Sequence, residues 1–168
     1  MRWKTAISIG LLALCSMAQA KEDISNHSNR LAVQGLITTG GNVGFGLVDY
    51  TNWSEIGATI AVEINNAHKQ TKLFTPAVFA GLRKPIGEQT YFAYGIDLAS
   101  TLGQDTGKNI DSDIQVGPYI SLEQALTSHL LLIGFIEPYS YEYQKKAGVC
   151  TSTHRVFSSG GLAMSYLF

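Results

Sequence analysis

The chain ends on the segment VFSSGGLAMSYLF, which occupies Val156–Phe168. Side chains of an extended strand point to opposite faces by turns, so every second residue of this segment shares one face. The residues of that face are Val156, Ser158, Gly160, Leu162, Met164, Tyr166 and Phe168. This alternation, with an aromatic residue as its last member, predicts a membrane strand whose side chains face lipid and lumen by turns.

The terminal pattern Leu162, Met164, Tyr166, Phe168 resembles the C-terminal signature of Gram-negative outer-membrane β-barrels. In that class the last strand closes the barrel and carries the sorting signal read by the barrel assembly machinery. The chain is thus similar to small outer-membrane barrels of the OmpX and OmpA-barrel type, and nothing marks one subfamily. The resemblance implies a structural or surface-interaction role, contact with outer-membrane lipid and lipopolysaccharide, and outer loops through which an extracellular partner can be reached.

The start of the chain predicts export. Arg2 and Lys4 give a positive region, Ala6 to Leu14 an apolar one, and Ala18-Gln19-Ala20 a small-residue cleavage site. This is the pattern of a secretory signal peptide, residues 1–20, removed after Ala20. The apolar run is much shorter than the ~20 residues of a spanning helix.

The remaining 148 residues divide into a polar lead, residues 21–30, and a barrel domain, residues 31–168. Cys15 leaves with the signal peptide, so Cys150 is the single cysteine of the mature chain and no intramolecular disulfide can form. A lipoprotein would need a small residue before Cys15, where this chain has Leu14.

The composition favours a β-rich membrane protein and disfavours a nucleic-acid partner. Charged residues make up 15% of the chain, well below the ~25% of ordinary soluble domains. The chain has 17 glycines, 8 tyrosines and 7 phenylalanines. Of its 12 basic residues two lie in the signal peptide, which leaves ten against 13 acidic ones. A net negative charge does not suit binding to phosphate backbones.

Eight apolar or alternating runs, separated by Gly, Asn, Asp and Pro clusters, follow the polar lead. They are Leu31–Thr38, Val43–Thr51, Ile56–Asn65, Leu73–Arg83, Thr90–Leu102, Ile110–Leu122, Leu130–Tyr143 and Val156–Phe168. We predict an all-β, eight-stranded antiparallel up-and-down transmembrane barrel with both ends on the periplasmic side. Gln144 to Arg155 is the longest predicted outer loop, and Gln124 to His129 a turn. Pro76, Pro118 and Pro138 lie inside predicted strands, where we expect bulges.

Polar residues at alternate positions predict the contents of the lumen. They are Asp49, Glu63, Arg83, Asp97 and Gln115, with Glu63 and Asp97 expected at similar height and Arg83 closer to Asp49. The interior of an eight-stranded barrel is about wide enough for side chains to fill. We therefore expect a packed polar network and no large pore, with a small-ligand or ion path and catalysis as the alternatives.

An enzyme is the second interpretation, because lipid A acyltransferases and deacylases are also eight-stranded barrels. Ser152 and His154 share a strand face, and Glu142 could approach from the preceding strand, which is the set that acyl transfer uses. The deacylases carry His before Ser, the reverse of the order here. A soluble periplasmic β-barrel binder is the third interpretation.

No cofactor or metal is predicted. His27, His68 and His129 are too scattered in the sequence for a metal cluster. The acidic residues Asp105, Asp111 and Asp113 fit a solvated rim at the outer end better than a cation site.

Overall fold

The computed structural model describes residues 30–65, 71–105, 108–146 and 148–168. The signal peptide and, except for Arg30, the polar lead lie outside the described residues. The strands are β1 (Arg30–Thr38), β2 (Val43–Tyr50), β3 (Ser54–Asn65), β4 (Thr71–Pro85), β5 (Thr90–Ser100), β6 (Leu102–Asp105), β7 (Lys108–Thr127), β8 (Leu130–Lys146) and β9 (Val149–Leu167). Within the described residues no helix is long and apolar enough to cross a membrane.

The strands form one closed antiparallel barrel. β5 and β6 are two segments of a single barrel strand, interrupted at Thr101, since both pair with β4 on one side and β7 on the other. The last strand, β9, pairs with both β8 and β1, which closes the sheet on itself. The predicted eight-stranded antiparallel barrel is therefore confirmed.

Side chains along each strand alternate between the outer face of the barrel wall and its inner, lumen-facing side. In β2, Val43, Phe45 and Leu47 are 55–63% exposed on the outer face, while Val48 on the inner face is fully buried. The same pattern around the barrel produces a continuous outer apolar belt. Its members include Leu31, Val33, Ile37, Ile56, Val78, Leu82, Ile96, Leu98, Leu122, Ile136, Leu162 and Met164. Soluble monomers rarely expose so large an apolar surface, whereas a lipid-facing barrel wall requires one.

The terminal strand follows its predicted alternation from Leu162 to Phe168 and departs from it at a bulge near Phe157. Leu162, Met164, Tyr166 and Phe168 all lie on the outer face, 48–67% exposed. Between the Glu137 and Tyr139 pairings of β8, β9 contains one extra residue. Phe157 lies there with φ +52°, a conformation that few non-glycine residues adopt. The predicted single face from Val156 to Phe168 is wrong at this bulge, because Ser158 faces the lumen beside Glu137, whereas Val156 lies opposite the outward-facing Tyr139.

Two predicted connections are instead strand. β8 runs to Lys146 and β9 starts at Val149, so the predicted loop Gln144 to Arg155 is wrong. In this region the tyrosines of β8 lie directly opposite polar and β-branched residues of β9. Tyr143, for example, lies opposite Ser152. Such cross-strand pairs favour sheet over loop. The predicted turn at Gln124 to His129 is also shorter, since β7 continues to Thr127.

The three prolines behave differently. The β7–β8 register shifts around Pro118, and the β8–β9 register shifts at Pro138, so bulges are confirmed at both positions. Pro76 lies opposite Ile60 in an unbroken β3–β4 register, and the bulge predicted there is wrong. Pro76 is at the level of the interruption at Thr101, where β4 pairs with neither β5 nor β6. The ladder between β4 and its neighbour is already interrupted beside Pro76, so the missing N–H group of the proline needs no bulge on that side.

The wall is taller on one side than on the other. β1 ends at Thr38, which lies opposite Gly161 of β9, and the last closing bond joins the Thr39 amide to the Gly160 carbonyl. Above this point β9 continues from Ser159 to Val149, paired within the described residues with β8 alone. We call Val149–Ser159 the free edge, and the tall part of the wall behind it, formed by the far ends of β7, β8 and β9, the upper sheet.

Candidate functional site

A buried ion pair occupies the lower half of the lumen. Arg83 lies on β4, and its Nη2 donates to Glu123 Oε2 of β7 at 2.6 Å, while its Nε donates to the same carboxylate at 3.1–3.2 Å. Its Nη1 donates to the Thr51 carbonyl at 2.6 Å. The guanidinium carbon stands 4.8 Å from the ring centre of Tyr50 and 4.3 Å from that of Tyr91. Because Glu123 is fully buried, these contacts satisfy a charge that is out of reach of water.

A second bonded pair lies above the first. The Tyr119 hydroxyl donates to Glu55 Oε1 at 2.6 Å, and both residues are buried. The Tyr119 ring packs edge-on against Phe79, with ring centres 5.7 Å apart. Gly81 gives the ring its space, because a Cβ there would collide with the Tyr119 hydroxyl. Together with Tyr50, Arg83 and Glu123, Glu55 and Tyr119 form what we call the lumen plug.

Above the plug the lumen opens into a cavity of about 400 Å³, the upper cavity. Its wall carries Asp97, Gln115 and Glu137, and it extends to Thr39 and Gly40 in the turn between β1 and β2. Glu137 is held in place, since its Oε2 accepts from Gln115 Nε2 at 2.9 Å and from Ser158 Oγ at 3.1 Å.

Three buried oxygen atoms in the wall of the upper cavity have no hydrogen-bond partner among the described residues. They are Asp97 Oδ1, Ser121 Oγ and Asn42 Oδ1. Most buried polar atoms in proteins are bonded, so three orphaned acceptors around one cavity call for an explanation.

The structure places three of the five predicted network residues in the lumen interior and separates them into two groups. Arg83 belongs to the plug, and Asp97 and Gln115 line the upper cavity. Asp49 does not belong to the network: it is exposed on the outer face, with the same orientation as Leu47. This part of the prediction is wrong, because Asp49 is in phase with the outward residues of β2.

Glu63 has the lumen orientation but lies far from Asp97. It is opposite Leu73 on β4, whereas Asp97 is opposite Phe79, six residues away along the same strand. That spacing corresponds to about 20 Å, so the expected similar height is wrong.

The sequence prediction missed the three acidic residues that organise the lumen. Glu123 continues the lumen-facing alternation of Gln115, Tyr119 and Ser121, so a signal for it existed. Glu55 lies between two predicted runs, and in the structure it begins the inward alternation of β3. The orientation of Glu137 depends on the bulge at Pro138, which alternation alone cannot place.

The structure does not bring the catalytic candidates together. Ser152 and His154 lie opposite Tyr143 and Tyr141, and these four residues share the outer face. Glu142 points to the inner face, where its Oε2 is 2.6 Å from Arg155 Nη2. The sheet therefore stands between the carboxylate and the Ser–His pair, and His154 instead bonds the Tyr139 hydroxyl.

Metal ligation has no candidate among the residues that the structure describes. No group of three or more His, Cys, Asp or Glu side chains there is placed to hold an ion.

A closed eight-stranded antiparallel barrel, apolar outside and polar inside, has the architecture of the small outer-membrane barrels. Among solved structures the chain is similar to outer membrane protein H (OprH) from P. aeruginosa in DHPC micelles. The two are 13% identical over 84% of this chain and 100% of that one, with a TM-score of 0.57. This likeness shows the fold.

Ail of Yersinia pestis is a more distant match. Its structure in a phospholipid bilayer nanodisc is 15% identical over 84% of this chain and 100% of that chain, with a TM-score of 0.42. Its crystal structure is 16% identical over 83% of this chain and 95% of that chain, with a TM-score of 0.38. No family model and no curated protein matches the chain in sequence.

Proposed function

We propose that this chain is a Gram-negative outer-membrane protein that binds an extended segment of a partner protein at the cell surface. It is exported with cleavage after Ala20, inserted by the barrel assembly machinery, and surrounded by outer-membrane lipid and lipopolysaccharide. The outer apolar belt and the OprH-like fold support the membrane location. Arg30 and Phe168, the ends of the described barrel, lie opposite the upper sheet, and in this class of barrel the end opposite the chain termini faces the cell exterior.

The observation that carries the binding role is the free edge. An unpaired edge strand offers a row of backbone donors and acceptors, and natural sheets usually cover or disrupt such a row. A partner strand can add to it by main-chain hydrogen bonds, with alternate side chains supplying specificity. On this edge Val156 and Phe157 are 72% and 73% exposed, and Val156 lies opposite Tyr139. We therefore expect the bound segment to carry apolar or aromatic residues at alternate positions.

The orientation can be tested at Cys150, which is exposed near the far end of the free edge. A maleimide that cannot cross membranes should label the mature protein on intact cells, and the Cys150→Ser variant should give no signal. Labelling only after the outer membrane is permeabilised would contradict the proposed orientation. Recovery of the protein in the periplasmic supernatant would contradict the membrane location and favour the soluble binder.

The binding role can be tested with linear peptides selected from a random library against the refolded barrel in micelles. Successive residues of a strand direct their N–H groups to opposite sides. Thr151→Pro and Ser152→Pro therefore remove backbone N–H groups that point to opposite sides of β9. One variant loses an N–H group of the free edge, and the other loses an N–H group that donates to β8. We expect the edge variant to keep its unboiled-gel mobility and to lose peptide binding. Failure to select binders, or binding unchanged in both variants, would contradict the proposal.

The absence of a large pore belongs to the same proposal. The plug residues Tyr50, Arg83 and Glu123 are at most 8% exposed, which supports a blocked lumen. We expect little or no steady conductance in single-channel recordings of the refolded protein, and a stable large pore would contradict this part.

A further inference from the structure

The upper cavity carries more negative than positive charge. Three carboxylates line it, those of Glu55, Asp97 and Glu137. Among the described lining residues Arg155 is the one basic side chain, and it is already paired with Glu142 at 2.6 Å. Asp97 and Glu137 both lie in the cavity wall, and the described lining offers them no unpaired basic side chain. A ligand with positive charge would supply the missing counter-charge.

The polar groups of the cavity differ in whether they have a hydrogen-bond partner. Glu55 accepts from Tyr119, and Glu137 accepts from Gln115 and Ser158. Asp97 Oδ1 has no donor among the described residues. Neither does the Ser121 hydroxyl, although Ser121 is only 4% exposed and lines the same cavity. Buried polar atoms without partners cost free energy, so the cavity favours a ligand that brings N–H donors.

The acidic groups are spread along the cavity and do not form a ring. Glu55 lies opposite Gly81 of β4, and Gly81 lies opposite Gly95 of β5. Asp97 is two residues further along β5, a rise of about 7 Å. This spacing does not suit a compact metal ion, and no metal-ligating group exists in the described part of the chain. It suits an elongated molecule with cationic groups at both ends. A volume of about 400 Å³ lies in the range of small-molecule sites.

We propose that the upper cavity binds a protonated linear diamine or polyamine, with Asp97 as its main ion-pair partner and Ser121 as an acceptor at the floor. The ligand enters at the end of the barrel where the β1–β2 turn lines the cavity. The cavity shares Arg155 and Ser158 with the free edge, but Asp97 and Ser121 lie on β5 and β7, so changes at these two residues test the cavity without altering the edge.

The test is calorimetric titration of putrescine into the refolded barrel in an uncharged detergent, with 1,4-butanediol as a neutral molecule of the same length. We expect saturable binding of putrescine and none of the diol. Asp97→Asn should weaken the binding about tenfold or more, because a hydrogen bond to a charged group is lost. Ser121→Ala should weaken it by a smaller factor.

Asp49→Asn is the matched control, since it makes the same change of charge on the outer face. It should leave putrescine binding unchanged, and unboiled gels should show that all three variants are folded. Equal weakening in both Asn variants would mean a diffuse charge effect and overturn the proposal. So would the absence of putrescine binding, or binding of Mg²⁺ in its place.

Discussion

The two halves of β9 have the same strand geometry and opposite surroundings. From Gly161 to Leu167 the strand lies between β8 and β1, and its inner residues Ala163, Ser165 and Leu167 are at most 5% exposed. From Val149 to Phe157 it has β8 on one side, and all nine residues are exposed. The lower half therefore belongs to a closed, plugged cylinder, and the upper half to an open sheet.

This contrast separates the part of the barrel that has a closed, plugged interior from the part to which we assign partner binding. In the lower half every strand has two neighbours, and the lumen plug fixes the wall from inside. In the upper half the inner face carries polar groups such as Glu142 and Arg155, and β9 has an unpaired edge among the described residues. Segments that bind partners are commonly drawn from the less stable parts of a fold.

Hydrogen exchange should show the largest difference between the two halves. Amides of β9 from Gly161 to Leu167 should exchange only through global opening, for which stabilities of about 5–15 kcal/mol are typical. Alternate amides of the free edge should exchange nearly as fast as unstructured peptide. NMR of the refolded protein in micelles measures both, and uniform protection along β9 would show that the edge is covered.

Removing one partner of the buried ion pair should have the next largest effect. Glu123→Gln leaves the Arg83 guanidinium buried without its counter-charge, so we expect a loss of about 3–5 kcal/mol in the free energy of unfolding. Denaturant unfolding in micelles measures it. Glu142→Gln is the matched change in the upper sheet, where the side chain of Arg155 is 54% exposed, and should cost less than about 1 kcal/mol. Equal losses would mean that the plug is not the stabilising element.

Gly81→Ala should have an intermediate effect. The added methyl group enters the space of the Tyr119 hydroxyl, so we expect a loss of about 1–3 kcal/mol from overpacking and a weakened bond to Glu55. Gly35→Ala is the control, because nothing lies within 4 Å of its added Cβ. In the same unfolding assay it should be neutral or slightly stabilising, since glycine weakens a strand.

The smallest effect is expected at the bulge between the halves. Phe157 has φ +52° and is 73% exposed, so Phe157→Gly removes a backbone penalty of about 1 kcal/mol and little packing. We expect a small gain in unfolding free energy. Val156→Gly, next to the bulge, should give a loss of about 0.5–1 kcal/mol. If both variants lose stability equally, the strain at Phe157 contributes nothing.

Alternation in the sequence predicted the barrel, its strand count and the outward face of Leu162 to Phe168, because lipid imposes period two on every spanning strand. It also identified Arg83, Asp97 and Gln115 as lumen residues. The prediction failed for Asp49 because it followed polarity instead of the phase of β2. Asp49 lies near a strand end, where a polar side chain is tolerated on either face, so polarity does not report its orientation.

Two of the missed site residues lie just outside the predicted runs. Glu123 continues the alternation of its strand but follows the last apolar residue of the run Ile110–Leu122, and Glu55 precedes the run Ile56–Asn65. The free edge depends on the difference in length between β1 and β9, a property of pairing that no local window contains. The separation of Glu142 from Ser152 and His154 follows from strand register in the same way.

The short seam between the first and last strands has a mechanical consequence. The seam runs from the Phe168 amide, which donates to the Leu31 carbonyl, to the Thr39 amide, which donates to the Gly160 carbonyl. The start of β1 and the end of β9 lie side by side at the same end of the barrel. Tension applied between Arg30 and Phe168 would load this ladder one rung at a time, starting at the bottom. The cylinder should unzip there under a low force and then peel apart hairpin by hairpin.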